Sequence, residues 1–426
     1  MNLVFTQSLR AFVVALLALI LLPAVAQPAL PLDDPDLKAL LQARTRAEAY
    51  VAEGEHATAI TVLLQSMRDA PGDRVELADA AYGNGQMISY VLLHLMPEEA
   101  AYAFAEKAFA VETYEIDKMV QTLCYIAIGL ETDEKDKFSR EAQGLTSSKI
   151  KNKIVRAITL YFLASPYFYY NHRDFSIQHA ELLAKENPNL DLAQTALNLL
   201  LYADRETKDF TELAADAVSK AADVPPYRSW SASLRSRIGE CAGNLNTEKE
   251  VPVTRGQALQ PLLRGITEGS DWRERYFSLL LVKNEFDGAA GPDLRRVARS
   301  LAATKSNTPD AVMARLELIR ALSADCTRKT ADVALRDETL ALALEVLEKG
   351  VTETTPERVL WESWVYGLKQ GAENLAAAGH VEAALTLYGA LADRVPGSKI
   401  ADACHVVMAD LSGNVDSEEA PQGAAE

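Results

Sequence analysis

The sequence predicts an all-α protein built from recurring pairs of antiparallel helices, and three observations carry that prediction. Ala, Leu, Glu and Lys abound, whereas the alternating Val/Ile/Thr runs that would mark strands are scarce. Gly and Pro are modest in number and punctuate apolar stretches of helical period. One unit, a helix stopped by Gly and restarted into a second helix that ends at Pro, is written near both ends, around Gly54–Pro71 and around Gly379–Pro396. At 426 residues, the chain has room for one long repeat array.

Residues 1–26 stand outside that array. Arg10 precedes an apolar run from Ala11 to Leu22, Pro23 interrupts it, and Ala24-Val25-Ala26 supplies small residues for cleavage, the pattern of a secretory signal peptide. The run is short for a bilayer core of about 30 Å, although a retained signal-anchor is the alternative. The mature chain, from near Gln27, is expected to be exported to the periplasm or beyond the cell with no stable membrane anchor. No Cys precedes Cys124, which excludes a lipid-anchored amino terminus. The formal charge is −17 and falls by one more when Arg10 leaves. Such acidity disfavours nucleic acid, whose binding rests on Lys and Arg displacing counterions.

The elements follow in order. Residues 27–34 form an extended segment. Asp34-Pro35 starts the first helix, with Asp as N-cap and Pro where a missing N–H costs nothing. That helix runs to about Glu53, Gly54 breaks it, and Glu55–Asp69 is a second helix stopped by Pro71-Gly72. Further first helices are expected near 75–93, 114–130, 148–164, 190–204, 226–242, 270–283, 309–323 and 356–377, with second helices between them. Helix starts are flagged by Pro97, by Thr308-Pro309 and by Thr355-Pro356. Residues 35–242 and 257–411 thus read as helical repeats. The polar stretch 243–256 between them is a long loop or a linker between two sub-arrays. Lys399–Leu411 is an amphipathic capping helix, which a repeat array needs at its end, and 412–426 is an acidic tail without order.

These spacings resemble the tetratricopeptide repeat, a helix-turn-helix of 34 residues with a turn Gly, a small residue after it and a closing Pro. In the first copy Ala47, Tyr50, Gly54, Ala59 and Pro71 take the small, aromatic, turn, small and stop places. In the last copy Ala372 is the small residue of the first helix, and Gly379, Ala384, Tyr388 and Pro396 take the turn, small, aromatic and stop places. Lys208–Pro225 is a weaker third copy, and Glu99–Thr113 and Asp174–Pro188 resemble second helices of degenerate ones. The resemblance implies a right-handed α-solenoid of about nine helix pairs that binds a partner protein or peptide. It places the ligand on the first helices: Leu41, Arg44, Glu48, Val51 and Ala52 in the first copy, Tyr366, Lys369, Glu373, Ala376 and Ala377 in the last. Both copies set a cation four residues before a Glu, which is either a charged groove or a surface ion pair worth about 0.3–0.5 kcal/mol. The phrase LADRVPGSKIADAC is also similar to repeat ends in tetratricopeptide proteins of bacterial envelopes, which points to envelope assembly or maintenance.

One stretch suggests a different class. Tyr161–Phe175 crowds aromatics around Asn171-His172-Arg173-Asp174. Tyr167, Tyr169, Tyr170 and His172 are similar in residue type to the sites of polysaccharide lyases on helical toroids, where a His or Tyr abstracts a proton. The alternative to a scaffold is therefore a glycan-active or glycan-binding protein; the plainer reading of the stretch is packing at a helix turn. His172 and His179 lack a third well-spaced ligand, so no metal is expected. There is no GxSxG, HExxH, phosphate loop or dinucleotide turn. No cofactor and no enzymatic activity are expected. Cys124, Cys241, Cys326 and Cys404 lie far apart and are expected to be unbridged.

Overall fold

The computed structural model describes residues 30–31, 33–97, 150–164, 173–207, 229–246, 254–288, 290–304, 308–349, 358–394 and 399–418, with the single residues 100, 103 and 115. The signal peptide, the helix expected at 114–130, the elements at 99–113 and 208–225, Cys124, Pro356 and Pro396 lie outside the described residues. Among those described, the protein is all-helical, with 16 α-helices and no strand.

The helices are α1 (Pro35–Ala52), α2 (His56–Asp69), α3 (Ala78–Tyr90), α4 (Lys153–Leu163), α5 (Arg173–Glu186), α6 (Asp191–Thr207), α7 (Ser229–Asn246) and α8 (Arg255–Ala258). They continue with α9 (Gln260–Glu268), α10 (Trp272–Val282), α11 (Gly291–Ala302), α12 (Pro309–Arg328), α13 (Val333–Lys349), α14 (Arg358–Ala377), α15 (Val381–Arg394) and α16 (Lys399–Glu418). The expected first helices that fall on described residues are all present with their ends shifted by a few residues. The Asp34 carboxylate accepts from the backbone N–H groups of Asp36 and Leu37 at 3.1 and 3.0 Å, the N-cap expected of Asp-Pro.

The two Gly turns are the same structure. Gly54 and Gly379 are the glycines of positive φ among the described residues, at 78° and 83°. At the first, the N–H of Gly54 donates to Val51 O and that of Glu55 to Tyr50 O; at the second, Gly379 donates to Ala376 O and His380 to Leu375 O. This double closure satisfies carbonyls that a helix end would otherwise strand, and only glycine adopts the required conformation without strain. Seven residues before each glycine and five after it stand Ala47 and Ala59, Ala372 and Ala384, all fully buried. Small residues there let α1 close on α2 and α14 on α15.

First helices also pack on first helices. α1 meets α3, α3 meets α4, α4 meets α6, and the series α7, α10, α12, α14 is in successive contact. α3 and α4 pack together although the stretch 98–149 separates them in sequence, and α6 touches both α3 and α10. Polar links tie the N-terminal ends of these helices. Arg74, just ahead of α3, binds Asp34 at 2.9 Å and Asp36 at 2.6 Å. The Asp79 carboxylate in the first turn of α3 accepts from the N–H groups of Asp191 and Leu192 at the start of α6. Asp191 in turn binds Arg273 of α10 at 2.6 Å, and Arg275 binds Asp310, which is wholly buried in the first turn of α12. Acids at helix N-termini also complement the dipole.

Between the two expected sub-arrays, α7 continues through 243–246 and α8 restarts at Arg255 behind a Thr254–Gln257 capping box. α7 packs on both α9 and α10, and one buried apolar cluster extends from Leu40 to Cys404. The described part of 243–256 is therefore helical at both ends. The final helix also corrects an expectation, because α16 runs past 411 to Glu418 where a tail without order was expected from 412. No proline interrupts the sequence before Pro421, so the backbone ladder continues.

Candidate functional site

Arg44 and Glu48 on α1 stand at the same offsets from Gly54 as Lys369 and Glu373 on α14 stand from Gly379. Both pairs close on themselves, at 3.3 Å for Arg44–Glu48 and 3.8 Å for Lys369–Glu373. Their surroundings differ. The Arg44 side chain is 18% exposed, and a Cβ on Gly83 of α3 would stand 2.9 Å from its Nη1. The mid-helix Gly83 thus gives the guanidinium room to lie across α3. Lys369 and Glu373 are 41% and 45% exposed. The surface at α14 is the open one, while that at α1 is partly filled by its own arginine. The side chain of Tyr366 lies outside the described residues.

Beside this face, an open cavity of about 310 Å³ lies between α1 and α2. Its lining combines Asp36, Arg46, Gln65, Ser66 and Asp69 with Ala39, Val62 and Ala70. The Asp36 carboxylate is engaged by Arg74, Asp69 accepts from Gln65 at 2.8 Å, and Ser66 accepts from Asn84 at 3.2 Å.

A recurrent polar device escaped the sequence reading. Asn84 of α3 donates to Ser66 of α2, Asn198 of α6 to Ser231 of α7 at 3.0 Å, and Asn374 of α14 to Ser323 of α12 at 2.9 Å. Each pairs an Asn of a first helix with a Ser of an adjacent helix, fixing how one element sits on the next. The available signal was an Asn set among apolar neighbours, as in ALNLLL around Asn198 and AENLAA around Asn374. Arg237 of α7 and Glu274 of α10 add a nearly buried ion pair at 2.9 Å, with Ser233 donating to the same carboxylate at 2.6 Å.

Tyr167, Tyr169, Tyr170 and His172 lie outside the described residues. The flanks of that aromatic stretch pack: Tyr161 meets the Tyr82 ring edge-on at 4.7 Å, and Phe162 stands 5.7 Å from it. His179 is buried against the Phe175 ring at 4.1 Å, with Nδ1 at 2.6 Å from the Phe175 carbonyl oxygen. Burial lowers its pKa, against the opposing effect of that backbone contact, so the imidazole is a packed neutral ring. Among the described residues, no group of three or more His, Cys, Asp or Glu side chains is placed to hold a metal ion. Cys241, Cys326 and Cys404 are free and buried, and burial pushes the Cys241 thiol up to about 11. No described helix is long and apolar enough to cross a membrane.

Compared with family models, curated proteins and solved structures, the chain matches none of them.

Proposed function

We propose that the protein is an exported helical-repeat scaffold, a right-handed tetratricopeptide-like solenoid of about nine helix pairs capped by α16. In this reading it holds a partner protein or peptide along its first helices and serves envelope assembly or maintenance. The observation that carries the reading is the identity of the two Gly turns, with the same double closure and two buried alanines at the same offsets, more than three hundred residues apart. Repetition of that unit at both ends argues for an array whose first helices form one layer, as do the successive first-helix contacts and the Asp–Arg links at their N-termini. Such an array leaves a long face for a partner, and Lys369 and Glu373 lie on its open part.

The test places a photo-cross-linking residue at Glu48 or Glu373 on first helices, and at Thr61 or Thr386, exposed at matching positions on α2 and α15. In cells, positions 48 and 373 are expected to capture one envelope protein other than the chain itself, and positions 61 and 386 to capture none. Equal capture from both faces, or none from either, sinks the reading.

One observation favours a second reading. Tyr90, whose phenol is pushed up to about 12 by burial, feels the opposing charge of Arg394 at the end of α15. An electrostatic influence of the end of α15 on the end of α3 fits a helical toroid of the glycan-active class. Retention of an acidic polysaccharide by the purified chain, with no protein captured, would favour that class.

A further inference from the structure

The two terminal helices present matching faces of opposite charge. On α1, Lys38, Gln42, Thr45 and Arg46 are exposed along one stripe, with Leu41, 41% exposed, at its edge. On α16, Asp402, Val406, Ala409 and Asp410 occupy the same helical positions of an equivalent stripe, and Val406 is 63% exposed. Leu41 and Val406 are two of the three large hydrophobic side chains exposed among the described residues. In each helix the two charges are eight residues apart, about 12 Å along the axis, with uncharged residues between them. No ion pair engages Lys38, Arg46, Asp402 or Asp410 among the described residues. Within the stripes themselves, α1 presents two cations and α16 two anions.

We infer that α16 of one copy docks on α1 of a second copy, so that the protein assembles head to tail. Because the charge spacing is the same on both helices, either helix direction pairs both aspartates with both cations, and Val406 and Leu41 are removed from water together. The two patches differ, so the contact closes as a two-fold dimer only if it is made reciprocally, each α16 on the other copy's α1. Made once per pair of copies, it propagates into an open chain or closes as a larger ring. Leu41 also belongs to the ligand face expected on α1, so at that helix α16 of a second copy and a first-helix ligand compete for the same edge.

Sedimentation velocity on the purified chain across a concentration series, at low and at high salt, tests it. The average mass is expected to rise with concentration at low salt and to fall toward the monomer at high salt, because exposed charges are screened. Asp402→Lys with Asp410→Lys, and separately Lys38→Asp with Arg46→Asp, are each expected to weaken association by about tenfold or more while leaving the far-ultraviolet circular dichroism unchanged. Mixing the two variants restores association, and so does combining all four substitutions in one chain. A monomer at every concentration overturns the inference, as does wild-type association in either charge-reversed variant or failure of the mixture to recover.

Discussion

At the scale of single residues, Asp34 shows how one side chain serves two elements. Its carboxylate caps α1 through the N–H groups of Asp36 and Leu37 and binds Arg74 ahead of α3. The bond from Arg74 is the largest influence holding its pKa below the ordinary carboxylate value, helped by the backbone bond from Leu37. A carboxyl with a depressed folded pKa stabilises the fold above its unfolded pKa of about 3.9, and the contribution fades as pH falls through the folded value. Asp34→Asn keeps a capping oxygen but loses the charge. Its urea midpoint is therefore expected to lie below wild type at pH 7, with the gap narrowing below about pH 4. A gap of constant size would mean that the charge does not matter.

Arg315 is another case of one residue serving another element. It is almost completely buried in α12, and its guanidinium donates to the carbonyls of Ala302 and Thr304 at 3.0 and 2.9 Å, closing the end of α11. Glu345 of α13 lies 3.5 Å away. In the sequence Arg315 reads as an ordinary helical arginine, because the carbonyls it serves belong to a neighbouring helix.

At the scale of the element, the glycines separate by conformation rather than by composition. Gly379 sits at φ 83° with open space where a Cβ would go, so Gly379→Ala meets backbone strain alone, about 1–2 kcal/mol. Gly239 also has open space but lies inside α7, where Ala is the better helix former by about 1 kcal/mol. Chemical denaturation is expected to show Gly379→Ala less stable than wild type and Gly239→Ala more stable. Equal signs would refute the assignment of Gly379 as a helix-ending turn. The spacing of Gly379 from Ala384 and Pro396 pointed to this turn, and Asp34-Pro35 pointed to the start of α1, because caps and turns are local chemistry. The Ser partners of Asn84, Asn198 and Asn374 were not legible, since each depends on which helix lands beside which.

At the scale of the whole molecule, the polar stretch 243–256 left a long loop and a linker between two sub-arrays as the readings of composition. Packing bears on the choice: α7 lies on α9 and α10, α6 touches α10, and Asp191 binds Arg273 across the same junction. A protease site inserted between Glu248 and Val251 and then cut is expected to give fragments that stay together in gel filtration. Separation of the fragments would mean that the junction carries little of the core.

The sequence by itself determined the described first helices to within a few residues, which glycines turn the chain, and that the described residues are all-helical. Each follows from neighbours within a few residues: capping oxygens, fixed φ at proline, and the helical period of apolar side chains. Tertiary structure alone decided that Arg44 lies over Gly83, leaving the α14 pair as the open part of the expected face. It also decided that Arg315 closes a neighbouring helix and that α3 packs on α4 across a long separation. Those outcomes depend on contacts between distant segments, whose geometry no local pattern encodes.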